Sequence, residues 1–197
     1  ELGMIAIPTL FTVAPPLNTR QVLMVNMITD VPPALAIALQ QPRYRRLTDL
    51  AREGEQALDR TLRVDVLRRA ATTAIPAGLV TLWASRALPA EASTIGFTSL
   101  VAAQLAQALE LGLTGSGLTP SLLTGVAAST AILAASLALP PARALLGLAP
   151  LSPTGLLAAG VAVMATVASS RLTTILLRET PDGTAPAVTP ALRTAPA

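Results

Sequence analysis

Long apolar stretches alternate with short polar breaks along most of this chain. Each stretch is about 18–25 residues long, which is enough for a helix to cross the hydrocarbon core of a bilayer once. The breaks contain Pro and Gly, the residues that most often end helices. The pattern predicts four membrane helices, at about 70–88, 94–112, 119–139 and 153–177.

The first forty residues predict two further membrane segments. Residues 1–14 have the pattern of the end of one helix, and residues 19–39 predict a second helix that is interrupted at Pro32 and Pro33. The chain starts with Glu1 inside an apolar run that has no basic leader, so this start does not resemble a signal peptide. We therefore expect a piece of a longer protein that begins within a helix.

A polar block at residues 40–69 lies between these two segments and the four that follow. It mixes eight Arg with five acidic residues, and its leucines recur at near-helical spacing. We expect a cytoplasmic loop with one short amphipathic helix at 46–62, and a solvated linker is the alternative. The tail at 179–197 is rich in Pro, Thr and Ala and is predicted to be disordered.

Composition supports a membrane protein and narrows its chemistry. Hydrophobic residues make up 52% of the chain and charged residues 13%, whereas soluble domains carry about 25% charged residues. Cys and His are absent, which argues against a zinc or copper site and leaves a site for a hard cation open. Aromatic residues are only 2% of the chain, too few to stack on the bases of single-stranded nucleic acid. We therefore expect contact with lipid and not with nucleic acid.

The distribution of the arginines predicts how the chain is oriented in the membrane. All fourteen basic residues are Arg. If the 40–69 loop is cytoplasmic, alternate connections place eleven of them on that side and leave Arg20, Arg86 and Arg143 outside. Such a bias is typical of membrane proteins, whose cytoplasmic loops are rich in Arg and Lys. We therefore expect a multi-pass protein of the cell membrane with its tail on the cytoplasmic side.

Polar side chains interrupt the second predicted helix near its middle. Asn26, Thr29 and Asp30 stand at positions i, i+3 and i+4, so they share one face of a helix. A charged Asp at the centre of a membrane helix costs about 2.5–3.5 kcal/mol, so it usually has a partner or a function. The spacing indicates a cation or proton site, and a hydrogen-bonded structural cluster between helices is the alternative.

The two prolines that follow should add oxygen ligands to this site. Pro32 and Pro33 have no backbone N–H, so they should release the carbonyl groups of Ile28 and Thr29. Released carbonyls at membrane depth are tolerated only inside protein or beside a water-filled cavity. Carbonyl, carboxylate, amide and hydroxyl oxygens are the ligands of hard cations. We therefore include the Ile28 carbonyl among the candidate cation ligands.

The segment from Gln21 to Ala36 resembles the sixth membrane helix of the P-type cation-transporting ATPases. The family has Q-x-L-x-x-N-x-x-T-D-x-x-P-A-x-A there in its type II pumps, and this sequence matches each specified position, with Pro33 as the family's proline and Pro32 as an extra one. The resemblance implies an all-α, polytopic bundle made of the end of the fifth helix and helices six to ten. It would cover residues 1 to about 178, including the cytoplasmic loop.

The resemblance also implies a set of ion ligands. Asn26, Thr29 and Asp30 fall on the family's sixth-helix ligands, and Glu1 lies at the spacing of its fifth-helix carboxylate. In the eighth helix, Gln104 stands where calcium pumps place a Glu, with Gln107 one turn later. Because an amide supplies an oxygen without a charge, the transported ion stays open among calcium, magnesium, manganese and a monovalent cation.

The family's catalytic motifs do not occur in these residues. D-K-T-G-T, T-G-E and G-D-G-x-N-D are all absent. The resemblance therefore implies that ATP and Mg²⁺ act only through cytoplasmic domains, and that the missing N-terminal helices supply the other half of the ion site. Whether this chain is part of an enzyme depends on those partners.

Four interpretations of function follow. The first is the membrane domain of an ATP-driven cation pump that supplies part of the ion site. Its rivals are a passive membrane subunit that pairs with a separately encoded catalytic half, and a truncated remnant without activity. A proton-coupled secondary transporter is a weaker alternative, because it would need a second set of broken helices and the sequence has no internal repeat.

Overall fold

The computed structural model describes residues 17–38, 60–114 and 118–178, and these ranges contain only helices as regular elements. The predicted all-α class is confirmed for this part of the chain. The predictions for Glu1, for the helix end at 1–14, for the amphipathic helix at 46–62 up to residue 59, and for the tail lie outside the described residues. In chain order the helices are α1 (Thr19–Ala38), α2 (Arg60–Ala87), α3 (Ala92–Thr114), α4 (Pro120–Ala138), α5 (Pro140–Leu146) and α6 (Pro153–Arg178).

Two of the described helices are long and apolar enough to cross a membrane. These are α4, over Pro120–Ala138, and α6, over Pro153–Thr173. Both coincide with predicted membrane segments. The predicted segments at 19–39, 70–88 and 94–112 also form helices of 20 residues or more, but the full set of crossings stays a prediction.

The predicted interruption of α1 was wrong. The helix continues through Pro32 and Pro33 to Ala38. One reason lies in α4, where the Ser129 hydroxyl donates to the Ile28 carbonyl over 2.6 Å and replaces the N–H that Pro32 lacks. Neighbouring helices often satisfy backbone groups that a proline has released in a membrane helix.

Two other boundaries differ from the hydropathy pattern. α2 begins at Arg60 in the described residues, ten residues before the apolar segment, because Arg and Leu are good helix formers whether or not they face lipid. The connection after α4 contains the short helix α5, with Pro140 and Pro141 in its first turn. Proline suits that turn because its missing N–H would have no partner there.

α3 is the central helix of the described bundle. It packs against α1, α2, α4 and α6, and residues 94–101 are all buried. Phe97, Leu100 and Val101 join a core cluster with Val25 and Ile28 of α1. A second cluster, centred on Ile95, packs α3 against α2 and α6.

Hydrogen bonds fasten one end of the bundle, which we call the upper end and which holds the starts of α1, α3 and α6. Asn18 and Gln21 cap α1 reciprocally, since each side-chain oxygen accepts the other residue's backbone N–H. The Gln21 amide oxygen also accepts from the Ser93 hydroxyl of α3, over 2.7 Å. The Glu91 carboxylate accepts from the backbone N–H and the hydroxyl of Ser152, at the start of α6. These bonds set α1 and α3 side by side and parallel.

Charged side chains lie at both ends of the bundle. Arg20 donates from the upper end to the Leu145 carbonyl of α5. At the opposite, lower end, Arg171 of α6 lies 3.5 Å from the Glu110 carboxylate of α3, and Gln107 donates to the Thr72 hydroxyl of α2. Arg20, which is predicted to lie outside, is therefore at one end, and Arg171 is at the other. The orientation of the chain in the membrane stays a prediction.

Candidate cation site

Asp30, the charged candidate ligand, lies on the face of α1 that points away from the described bundle. Gln21, Val25 and Ile28 are at most 1% exposed and form the face that meets α3 and α4. A helix turns about 100° per residue, so Asp30, nine positions after Gln21, lies about 180° around the axis. Asp30 is exposed, and Leu23 on the same side is 71% exposed. α1 thus has one packed face and one open face.

Thr29 is half-buried and meets Asp30 at the edge of this open face. The Thr29 hydroxyl donates to the Val25 carbonyl over 3.0 Å, and it also lies 3.2 Å from the Asp30 carboxylate. Asn26 is half-buried one turn before Asp30. The three side chains therefore offer a hydroxyl, a carboxylate and an amide within about one turn of helix, which suits a hard cation.

The Ile28 carbonyl has no backbone donor in its own helix, because residue 32 is a proline, and it accepts a hydrogen bond from another helix instead. Ser129 donates to it from α4 in a fully buried position. A carbonyl oxygen has two lone pairs, so this bond uses one and leaves one for another partner. Sequence reasoning missed Ser129, although a hydroxyl on the buried stripe of α4, between Gly125 and Leu133, is a signal for an interhelical hydrogen bond.

Gln104 is a residue of α3 and lies on the packed side of α1, away from Asp30. It follows Ser93, which contacts Gln21, by eleven residues, or about three turns, so it faces the packed side of α1. Its amide oxygen is buried and has no hydrogen-bond donor among the described residues. The structure places no hydrogen bond between Gln104 and Asp30, which face opposite sides of α1. Gln107 instead contacts α2, donating to Thr72 and the Arg69 carbonyl.

Charged candidate ligands are few in the described part of the chain. Within residues 17–38, 60–114 and 118–178, no group of three or more acidic, His or Cys side chains lies together. Asp30 is the carboxylate of the open face, and Glu1, the other predicted carboxylate ligand, lies outside these ranges.

Comparison with known proteins adds a family. Residues 14–176 match the family described as "Cation transporting ATPase, C-terminus". The chain is also similar to a "Probable cation-transporting ATPase I" of Mycobacterium leprae (strain TN), with 37% identity over an alignment that covers 48% of this chain and 7% of that protein. The chain thus corresponds to a small part of that relative.

Proposed function

The chain belongs to the cation-transporting ATPase family, whose C-terminal membrane region it matches over most of its length, and we propose that it supplies one side of the ion-binding site of an ATP-driven cation pump. Asp30 would be its charged ligand, and Asn26 and Thr29 neutral oxygen ligands. The pump would lie in the plasma membrane.

The open face of α1 carries this proposal. The Asp30 carboxylate stands on it beside large apolar side chains, since Leu23 is 71% exposed and Met27 47% exposed. The half-buried Asn26 and Thr29 lie at its edge. A surface that mixes apolar residues with an intramembrane Asp is costly in lipid, and its polar groups normally face a protein partner or a water-filled cavity. Further helices of the pump, including the one that holds Glu1, would cover this face and complete the coordination shell.

The chemistry of the ligands limits which cations the pump would transport. Oxygen donors without Cys or His favour calcium, magnesium, manganese or a monovalent cation over soft metals. Gln104 would add an oxygen without a charge if a rearrangement of α1 brought it to the ion. ATP and Mg²⁺ would act through cytoplasmic domains, whose phosphorylation would shift the membrane helices and so change the affinity of the site.

Transport by the pump that contains this chain, as one polypeptide or as a complex, tests the proposal. Reconstituted vesicles would be loaded in turn with Ca²⁺, Mn²⁺, Na⁺ and K⁺ in the presence of Mg²⁺ and ATP. We expect ATP-dependent movement of one of them. Transport that requires this chain supports the pump, whereas binding to a catalytic partner whose transport is unchanged without the chain favours the passive subunit. ATP-dependent movement of none of them would reject the proposal for these cations.

A further inference from the structure

One hydroxyl from α4 reaches the backbone of α1 beside the candidate ligands. Ser129 donates to the Ile28 carbonyl over 2.6 Å, and both residues are 0% exposed. The two residues are 101 positions apart in the chain. Their bond ends on the peptide group that joins Ile28 to Thr29, so it acts directly on the backbone that carries Thr29 and Asp30.

The backbone of α1 needs this donor because of Pro32. In a regular helix the N–H of residue 32 would donate to the Ile28 carbonyl, and proline has none. A buried carbonyl without a donor loses the full free energy of its hydration, and the helix relaxes to expose or re-pair it. α1 nevertheless stays helical to Ala38. Ser129 supplies the missing donor at the place where α1 would otherwise open.

Several other hydroxyls in the bundle donate hydrogen bonds to carbonyls of their own helix. Thr81, Thr130, Ser136 and Thr166 each donate to the carbonyl four residues earlier in the same helix. Ser129 points across to α1 instead. From this geometry, and on the premise of the proposed function, we infer that Ser129 is a positioning residue: it fixes the α1 backbone so that Thr29 and Asp30 hold the geometry that binds the cation.

Loss of the hydroxyl should weaken cation binding more than it weakens the later steps. Without Ser129 Oγ the Ile28 carbonyl has no donor, and the turn that contains Thr29 and Asp30 gains freedom. The cation must then order this turn when it binds, and this lowers its net binding free energy. We expect Ser129→Ala to raise the half-saturating cation concentration about fivefold or more, with the maximal phosphoenzyme level near that of the wild type.

The assay is phosphoenzyme formation from ATP by the purified pump, titrated separately with Ca²⁺, Mn²⁺, Na⁺ and K⁺. Ser136→Ala is the matched control, because Ser136 is 2% exposed on the same face of α4 but bonds its own helix. Ser129→Ala should lower the thermal midpoint more than Ser136→Ala, because only the first leaves a buried carbonyl without a donor. Only Ser129→Ala should change the half-saturating concentration. Ser129→Thr keeps the hydroxyl and should restore it.

A double variant tests the cause. Pro32→Ala gives residue 32 an N–H that can donate to the Ile28 carbonyl, so Ser129→Ala should have little further effect in that background. This pair also keeps the inference testable if Ser129→Ala alone does not fold. An equal effect of Ser129→Ala with and without Pro32 would overturn the inference, as would an unchanged half-saturating concentration in Ser129→Ala.

The outcome separates this inference from the proposed function. If Asp30→Asn abolishes the cation response while Ser129→Ala behaves like the wild type, the positioning role fails and the pump stands. If Asp30→Asn responds to the cation like the wild type, the proposed site itself fails, and the inference fails with it.

Discussion

At the scale of single residues, sequence spacing predicted which side chains share a face but not what they contact. The i, i+3, i+4 pattern placed Asn26, Thr29 and Asp30 together, and in the structure Thr29 lies within hydrogen-bonding distance of Asp30. The partner of the Ile28 carbonyl could not be predicted, because Ser129 is 101 residues away and its position depends on how α4 packs against α1. Local rules fix a helix face, whereas contacts between helices depend on the whole bundle.

Gly155 is a residue whose role depends on such a contact. A Cβ added there would lie 2.5 Å from the Glu91 carboxylate oxygen that accepts from Ser152. Glu91 can swing aside, but then the Ser152 N–H and hydroxyl lose their acceptor. We expect Gly155→Ala to destabilise the membrane domain by about 1–2 kcal/mol.

The thermal midpoint of the purified pump measures this effect, with Gly160→Ala as the matched control in the same helix. A Cβ at Gly160 would meet nothing within 4 Å, and replacing a helical Gly by Ala is favourable by about 0.5–1 kcal/mol. Gly155→Ala should therefore lower the midpoint while Gly160→Ala keeps or raises it. Equal shifts in both variants would contradict the role given to Glu91.

At the scale of elements, apolar length predicted the helices better than it predicted their ends. α3, α4 and α6 lie within a few residues of the predicted segments. The pattern missed the first ten residues of α2 and the short helix α5, because charged residues and connections can also be helical. It predicted a break in α1 because prolines were read without their tertiary surroundings. The helix expected at 46–62 and its docking to a cytoplasmic domain stay predictions.

At the scale of the whole molecule, the bundle has a fastened upper end and a site that is open on one side. Asn18, Gln21, Ser93 and Glu91 tie the starts of α1, α3 and α6 together. Near the middle of α1, Asp30 lies on a face that the described helices leave uncovered, with the half-buried Asn26 and Thr29 at its edge. Composition and the Gln21–Ala36 pattern were enough to predict the family, but the sequence could not show that Gln104 and Asp30 face different sides of α1.

The orientation of the molecule gives a separate prediction. Because eleven of the fourteen arginines fall on the side of the 40–69 loop in the predicted topology, that loop and the C-terminal tail should both be cytoplasmic. Single cysteines at Asp59 and Thr184, in a chain that has no Cys of its own, should react with an impermeant thiol reagent from the cytoplasmic face only. Labelling of the two sites from opposite faces would contradict the number of crossings between them.

The central claim is that Asp30 is the charged cation ligand of the open face of α1. Cation-dependent phosphoenzyme formation in Asp30→Asn measures this most directly, because it reports occupancy of the ion site before the later steps of transport. Glu110→Gln is the control, since it removes another carboxylate, 13% exposed and paired with Arg171, that lies outside the site. We predict that Asp30→Asn inserts normally but gives no cation-dependent phosphoenzyme, and that Glu110→Gln keeps the wild-type response. A wild-type response in Asp30→Asn would show that an amide suffices at this position, as in a structural hydrogen-bonded cluster, and would contradict the account.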